Sequence, residues 1–382
     1  MKKILFICPR NPFSGRYSGD VIRAKKFINY FSRNNYVKVL SPSSKDVDKK
    51  ESKLSYQGFK SSNFLQKIIF IFISLLKWKP MQLGYFYSPK IRKYVLNNLD
   101  NYDLVFLQSL RVAQYLPENV NKKTILDMGD ITSKNYYQTS KRLFFFNPLK
   151  IIYLLEGFLV EKYENFCFAN FSKILLFSKK EIDSLKSNFK KKVKQISFGI
   201  DAVKRKFKYS EKNNKIVFVG NINYTPNKDA CYDFCNSILP SILNIDSTIE
   251  FHILGEISNK DKFFLSKKKN VKIFGKTNNL EPYLKNAICG IANLKISSGI
   301  QTKLLTYMSF GIPSICSKQV AENFDLIKES KICSYKNDSE LIKIIFKLKK
   351  NKSFANDISK RSLKTIKKFK WDKVLPMLNK VL

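Results

Sequence analysis

Behind the opening apolar run KILFIC comes PRNPFSGRYSGDVIRAKKFINYF, where Gly15 and Gly19 stand ahead of Asp20 and a helical pattern with apolar residues at Val21, Ile22, Phe27, Ile28 and Phe31. A glycine loop that opens a helix lets a ligand approach closely, because the first backbone N–H groups have no partner inside the helix and face outward. Asp20 reads as the N-cap of that helix. The spacing is not G-x-G-x-x-G, so this is no nicotinamide-cofactor fingerprint, and an ordinary βα turn has the same composition. The chain has one histidine, His252, inside the apolar run IEFHILG. Counting therefore excludes His-dependent triads and multi-His metal sites, and His252 reads as a packed strand residue. Seven cysteines (Cys8, Cys167, Cys231, Cys235, Cys289, Cys316 and Cys333) lie mostly in apolar runs rather than in C-x-x-C pairs. They read as reduced core residues of an intracellular protein.

The elements that must position such groups are legible from periodicity. Short apolar runs alternate with longer helical patterns: Ile4 to Cys8, Val37 to Leu40, Leu104 to Leu107, Thr124 to Leu126, Ile174 to Phe177, Ile216 to Val219, Ile249 to Leu254, Val271 to Phe274, Ile288 to Ala292 and Pro313 to Cys316. Continuous apolar strands between helices imply parallel sheets covered on both faces, and the 382 residues are enough for two domains. The fold class is α/β, with two doubly wound, Rossmann-like domains. SFGIDAVKRKFKYSEKNN turns polar before KIVFVG opens a new unit, which places the first domain at 1–200 and the second at 210–382.

The net charge of +40 raises a nucleic-acid reading. The lysines are spread along nearly the whole chain, and the accompanying Asn, Ile, Phe and Tyr look like a genomic compositional bias, so no specific nucleic-acid partner is expected. A strongly basic surface is nevertheless drawn to anionic membranes and to phosphate-bearing substrates. The start MKKILFICPR has only five apolar residues before Pro9, too few for a secretory signal, which implies a cytoplasmic protein. FLQKIIFIFISLLKWKP, Phe64 to Pro80, is the most hydrophobic stretch. Lys67 interrupts it and leaves about nine apolar residues, well short of the ~20 that span a bilayer. It reads as an amphipathic helix packed on the first sheet, or else as a membrane-surface anchor with Trp78 and flanking lysines at the interface.

The loop and helix SGDVIRAKKFINYFS resemble the opening of bacterial family-4 glycosyltransferases, in particular the subgroup associated with exopolysaccharide synthesis. KPMQLGYFYSPKIRKYV, VFLQSLRVAQYLPE, LDMGDITSKNYY and LEGFLVEKYENFCFANFSKILLFSKKEID continue the likeness through the first unit. KIVFVGNINYTPNKDACYDFCNSILPSI, FHILGE, VKIFGKTNNLEPYLKNA and SSGIQTKLLTYMSFGIPSICS carry it through the second. The terminal KFKWDKVLPMLNKVL looks like the last helix of these enzymes, which often crosses back to the N-domain. The resemblance implies a GT-B fold whose two domains face each other across a cleft. It implies transfer of a sugar, with retained configuration, from a nucleotide-sugar donor to a saccharide or lipid-linked acceptor in cell-surface polysaccharide synthesis.

On that resemblance the donor is held by Gly220, Asn221, Asn223, Lys228, Gly255, Gly275, Ser298, Gly299, Lys303 and Thr306. Glycines at strand ends would let the diphosphate approach backbone amides, and the Lys303 cation would balance the leaving diphosphate, with no metal or other cofactor required. Gly15, Gly19, Asp20 and Arg23 form the acceptor-side loop. Asp127 and Asp130, at the end of the strand TIL, would point into the cleft and join Lys303 as catalytic candidates; Asp130 reads equally as the cap of the next helix, assisted by Thr132 and Ser133. Glu156 and Glu161 read as helix-surface or interdomain contacts, and Arg111 as a surface-paired arginine. Many family-4 enzymes carry two glutamates where this chain has Ser298 and Thr306, and VGNINYTPNKDA lacks the Arg and Lys found in many relatives. A hydroxyl satisfies less of a ribose diol than a carboxylate does. A degenerate member that binds a glycan or a partner transferase is the alternative reading.

Overall fold

The structure is a computed structural model that describes residues 1–15, 18–118, 120, 122–201, 203, 207–277, 279–297 and 300–382. The chain forms two compact units, Met1–Ser197 with Val374–Leu382, and Phe198–Lys373.

The first unit is built on an eight-stranded sheet of β1 (Lys3–Ile7), β2 (Tyr36–Ser43), β3 (Val47–Lys50), β4 (Leu54–Lys60), β5 (Leu104–Gln108), β6 (Lys123–Gly129), β7 (Lys173–Leu176) and β8 (Val193–Gln195), in the order β3-β4-β2-β1-β5-β6-β7-β8. β1 and β5 are nearly continuous apolar runs, and β6 is buried from Thr124 to Gly129, because helices cover both faces of the sheet's middle. β1 pairs with β2 on one side and β5 on the other, so the winding reverses between β1 and β5. The C-terminal residues finish on this unit: Tyr30 Oη donates to Asn379 Oδ1 (3.0 Å) and Lys2 Nζ to the Leu382 carbonyl (2.8 Å).

The second unit is built on a six-stranded, wholly parallel sheet of β9 (Lys215–Val219), β10 (Glu250–Leu254), β11 (Val271–Gly275), β12 (Ala287–Ala292), β13 (Ser314–Ser317) and β14 (Cys333–Tyr335), in the order β11-β10-β9-β12-β13-β14. Here the reversal lies between β9 and β12. In open α/β sheets such a reversal splays the loops at the carboxyl ends of the two strands and leaves a crevice for a ligand.

All ten apolar runs are strands. The structure adds β3, β4, β8 and β14, and corrects the expectation of purely parallel pairing at one edge, where β3 runs antiparallel to β4. β3 reads VDKK, an edge sequence without the apolar run that marks a buried strand. His252 is packed in β10 beside Phe274, with Nε2 2.7 Å from Glu250 Oε2. The cysteines are free thiols, and burial pushes Cys235 up to about 12.

The stretch from Phe64 corrects the expectation of a helix packed through its apolar face. It is helical from Phe64 to Leu76, started by a capping box between Asn63 and Gln66, and none of its residues is fully buried. It rests on the helix Met81–Tyr85, where a Cβ on Gly84 would lie 2.3 Å from the Phe70 carbonyl oxygen.

Candidate functional site

Polar side chains of the second unit converge at the reversal of its sheet. Tyr307, on the helix Thr302–Phe310 that follows β12, ties the two strands together: its hydroxyl donates to the Ile291 carbonyl (3.2 Å) and accepts from Val219 N (2.9 Å). One turn earlier on that helix, Lys303 is buried. Its Nζ donates to Asn227 Oδ1 (2.8 Å) and sits 3.7 Å from the centre of the Phe218 ring. Asn227, in the first turn of the helix Thr225–Asp233, donates its Nδ2 to the Asn221 carbonyl (2.8 Å) and thereby shapes the loop after Gly220. A Cβ on Gly220 would lie 3.0 Å from that same Nδ2. Gly220, Asn221 and Lys303 therefore meet through Asn227, which the sequence reading passed over, as it did Tyr307. The available signal for Asn227 was a polar residue opening the helix after a glycine-ended strand.

Lys303 is a buried amine whose polar contact among the described residues is one amide oxygen. Desolvation lowers its pKa to about 7, a value at which the amine exchanges its proton near neutrality.

The strand-end glycines pack backbone on backbone. Gly220 N donates to the Leu254 carbonyl (2.9 Å) and Gly255 N to the Gly275 carbonyl (2.7 Å). Gly255 has φ +142, and a Cβ there would fall 1.7 Å from the Gly220 carbonyl oxygen, whereas Gly275 (φ +67) faces open space. Gly255→Ala is expected to cost about 3 kcal/mol or more, and Gly275→Ala only about 1–2 kcal/mol, from the left-handed backbone alone. Urea denaturation of the two variants side by side checks the contrast.

Other expected donor residues sit differently. Lys228 pairs with Asp261 (3.2 Å) on the neighbouring helix Asn259–Ser266. Asn223 donates its backbone N–H to Asn221 Oδ1 (2.9 Å), closing the loop. The Thr306 hydroxyl donates to the Thr302 carbonyl (3.1 Å) of its own helix. Ser298 and Gly299 lie outside the described residues.

The catalytic and acceptor-side expectations for the first unit need two corrections. Arg23 is 2% exposed and grips Asp127 with two hydrogen bonds, Nε to Oδ2 (2.7 Å) and Nη2 to Oδ1 (2.8 Å). Its remaining N–H groups reach the Ser197 (2.8 Å) and Ile196 (3.0 Å) carbonyls, and the guanidinium carbon lies 4.3 Å and 4.6 Å from the Phe27 and Phe177 ring centres. Asp127 thus points into the domain at an arginine, and Arg23 is a core residue. In turn Asp20 is not the N-cap: Ser18 holds that position, and Asp20 sits in the first turn paired with Arg10. Burial would raise the Asp20 carboxyl, but the Arg10 charge together with hydrogen bonds from Ser18, Arg10 and the Val21 backbone outweighs it and holds the group below the ordinary range. Gln108 Nε2 donates to the Asp20 carbonyl (2.6 Å), joining the loop that carries Gly15 (φ +69) and Gly19 to the end of β5, where Ser109 has φ 84.

Asp130 is not the cap of the helix Thr132–Arg142 either. Glu164 accepts from Thr132 N (2.7 Å), Ser133 N (3.2 Å) and Ser133 Oγ (2.5 Å), and Glu181 accepts from Ile131 N (3.0 Å). Burial pushes Glu164 up to about 7 despite these bonds. Asp130 Oδ1 is buried with no hydrogen-bond partner among the described residues. Burial, then the Glu181 charge, raise its pKa well above the carboxylate range. The first unit therefore places a buried carboxyl with a raised pKa at the carboxyl end of β6. Glu156 proves structural, capping Met81 N (2.7 Å) and Gln82 N (3.1 Å), Glu161 accepts from the Tyr137 hydroxyl (2.7 Å), and Arg111 donates to Gln82 Oε1 (3.0 Å).

Residues 213–351 match the model of a family described as Glycosyl transferases group 1. The sequence has no match among curated proteins. Solved structures match along its length. Crystalline TarM has a TM-score of 0.66 at 11% identity, covering 100% of this chain and 98% of that one. Anabaena Alr3699/HepE in complex with UDP and glucose gives 0.65 at 11% identity, covering 100% and 99%. An α,α-trehalose-phosphate synthase (UDP-forming) from Burkholderia vietnamiensis gives 0.68 at 7% identity, covering 100% and 96%. Likeness at such identities is one of fold. The chain has the GT-B fold, with two doubly wound Rossmann-like units in one polypeptide, and the segment matching the glycosyltransferase family model is the one that carries Gly220, Asn227 and Lys303.

Proposed function

We propose that the chain is a glycosyltransferase that binds a nucleotide-sugar on its second unit and delivers the sugar to a saccharide or lipid-linked acceptor in cell-surface polysaccharide synthesis. The observation that carries this reading is the buried Lys303, held by Asn227 beside the Gly220 loop at the reversal of the sheet. A diphosphate there meets a cation in a low-dielectric site, beside a strand-end glycine that leaves room for its close approach. The family match over this segment and the UDP complex of the Anabaena protein support a nucleoside diphosphate as the leaving group.

In the proposed reaction the bond between the anomeric carbon and the diphosphate oxygen breaks as the acceptor hydroxyl attacks the same face. The hydroxyl proton passes to the departing phosphate oxygen, so configuration is retained. Lys303 balances the charge that develops on the diphosphate, which is the task a metal performs in other transferases. Asp130, whose Oδ1 has no hydrogen-bond partner among the described residues, is the candidate for orienting the acceptor hydroxyl. We place the protein in the cytoplasm, peripheral on the inner face of the membrane, where lipid-linked acceptors are found.

Incubation with UDP-, GDP- and ADP-sugars tests the reading. Release of nucleoside diphosphate from one class, with an unchanged anomeric configuration in the product, is expected. No turnover and no thermal shift with any nucleotide would overturn it. The engaged hydroxyl of Thr306 favours one second reading, a protein that keeps the fold and binds a saccharide without turnover. Under that reading Thr306→Glu leaves nucleotide affinity unchanged, whereas in an active enzyme it adds a carboxylate for the ribose and raises affinity about tenfold.

A further inference from the structure

The helix Phe64–Leu76 is turned inside out. Phe64, Leu65, Ile68, Ile69, Phe72, Ile73 and Leu76 recur with helical spacing and are all exposed, Phe64 by 79% and Phe72 by 61%. The side toward the protein carries Lys67, whose Nζ lies 4.6 Å from the centre of the Tyr85 ring, and Phe70, packed on Tyr87 at 5.1 Å. A helix that only covered a core would present the opposite face to water.

A second apolar element adjoins it. Phe144, Phe145 and Phe146 are consecutive and exposed by 75%, 76% and 81%, and they lead into the helix Leu149–Asn170, whose first turns expose Leu149, Ile151, Ile152, Leu154 and Leu155. That helix is joined to the first through Glu156, which caps the helix Met81–Tyr85 on which Phe64–Leu76 rests. Ile71, Tyr85, Tyr136 and Ile152 line one small cavity of about 180 Å³ between the two elements. At that cavity the exposed apolar residues of the two helices adjoin, and Phe144–Phe146 lead into the second of them, more exposed apolar surface than single hydrophobics account for.

The charge around this face identifies its occupant. Neither 52–99 nor 131–155 contains an aspartate or glutamate, while Lys77, Lys79, Lys141, Arg142 and Lys150 stand beside the apolar residues. A second copy of the chain would set this basic rim against itself within a molecule of net charge +40, which disfavours self-association. No helix among the described residues is long and apolar enough to cross a membrane. At about 1.5 Å per residue, Phe64–Leu76 spans roughly 20 Å and fits only in the plane of an interface.

We propose that Phe64–Leu76, with Trp78 at its end, and the Phe144–Phe146 segment together insert into the surface of an anionic lipid bilayer, with the flanking lysines on the headgroups. This gives residues to the peripheral-membrane part of the proposed function and rests on that part alone, since the first unit carries the face whatever the second unit binds.

Flotation with vesicles of phosphatidylcholine mixed with phosphatidylglycerol tests it, with pure phosphatidylcholine as the control. The full chain is expected to float with the anionic vesicles and to stay bound in high salt, where adsorption through scattered lysines is screened. Its two tryptophans are Trp78, 62% exposed, and Trp371, 5% exposed, so a blue shift on adding vesicles that Trp78→Phe removes reports insertion. Replacing Phe144, Phe145 and Phe146 by serine, at positions that pack on little, is expected to weaken vesicle binding at least about tenfold. The same variant should bind UDP as the parent does, which separates failure of the membrane reading from failure of the donor reading. Binding lost entirely in high salt, an unweakened serine variant, or a dimer that buries this face in place of vesicle binding would each overturn the proposal.

Discussion

Lys303→Met is expected to abolish nucleotide binding, weakening it about 100-fold or more, while raising the melting temperature of the protein. The two effects share one cause. Burial disfavours the charged amine, and among the described residues it meets the Asn227 amide oxygen and the face of Phe218. Methionine has nearly the same shape without the desolvation cost, so the fold gains. Because the folded pKa lies below that of the unfolded lysine, the penalty is full below pH 7 and is relieved as pH rises toward the ordinary lysine range. The stabilisation by methionine is therefore greatest at and below neutral pH and shrinks in alkali. A diphosphate reverses the balance by supplying the missing countercharge, and that interaction is lost with the amine. Thermal melts with and without UDP, GDP or ADP check both halves; a variant that is destabilised and still binds contradicts the assignment.

Arg23→Met carries the largest expected cost to the fold, about 3–5 kcal/mol, because it leaves Asp127 buried without its partner and strands the Ile196 and Ser197 carbonyls. Asp127→Asn is expected to be milder, since the amide keeps one acceptor for the guanidinium. Arg23→Met with Asp127→Leu should recover much of the loss, because no buried charge then remains. Urea titration of the four proteins, followed by a probe in the first unit, gives the coupling directly. If Asp127 instead met the substrate, the double variant would fold well and lose turnover beyond what its stability explains, and single variants would cost less than about 1 kcal/mol.

The contrast between these two sites shows what a sequence discloses. Continuous apolar runs between helices announce a buried parallel sheet in any context, so the ten central strands and the doubly wound fold were legible. The short or polar edge strands β3, β8 and β14 carry no such run and were not. Gly220 and Lys303 stood out through the likeness of their segments to family-4 glycosyltransferases, Gly220 at a strand end and Lys303 in the first turn of a helix. Asn227 and Tyr307 did not, since their roles exist only once β9 and β12 are adjacent. Asp127 was misplaced for the same reason in reverse: at a strand end a carboxylate looks available, and its partner Arg23 lies more than a hundred residues away in sequence. The helix Phe64–Leu76 was left between two readings, packed on the sheet or lying on a membrane surface, because hydrophobic periodicity gives the direction of the apolar face relative to the helix, not relative to the protein. Gly84, which lets that helix settle by its other side, lies outside the periodic stretch.

The central claim, a nucleoside diphosphate held by Lys303 beside Asn227 and the Gly220 loop, is met most directly by titration calorimetry of UDP, GDP and ADP near pH 8 in two buffers of different ionisation enthalpy. At that pH the free amine is largely neutral and the bound one is charged. Binding of one nucleotide with uptake of close to one proton, and an affinity that falls as pH is raised further, is the predicted result. Binding without proton uptake, or unchanged binding in Lys303→Met, would contradict it.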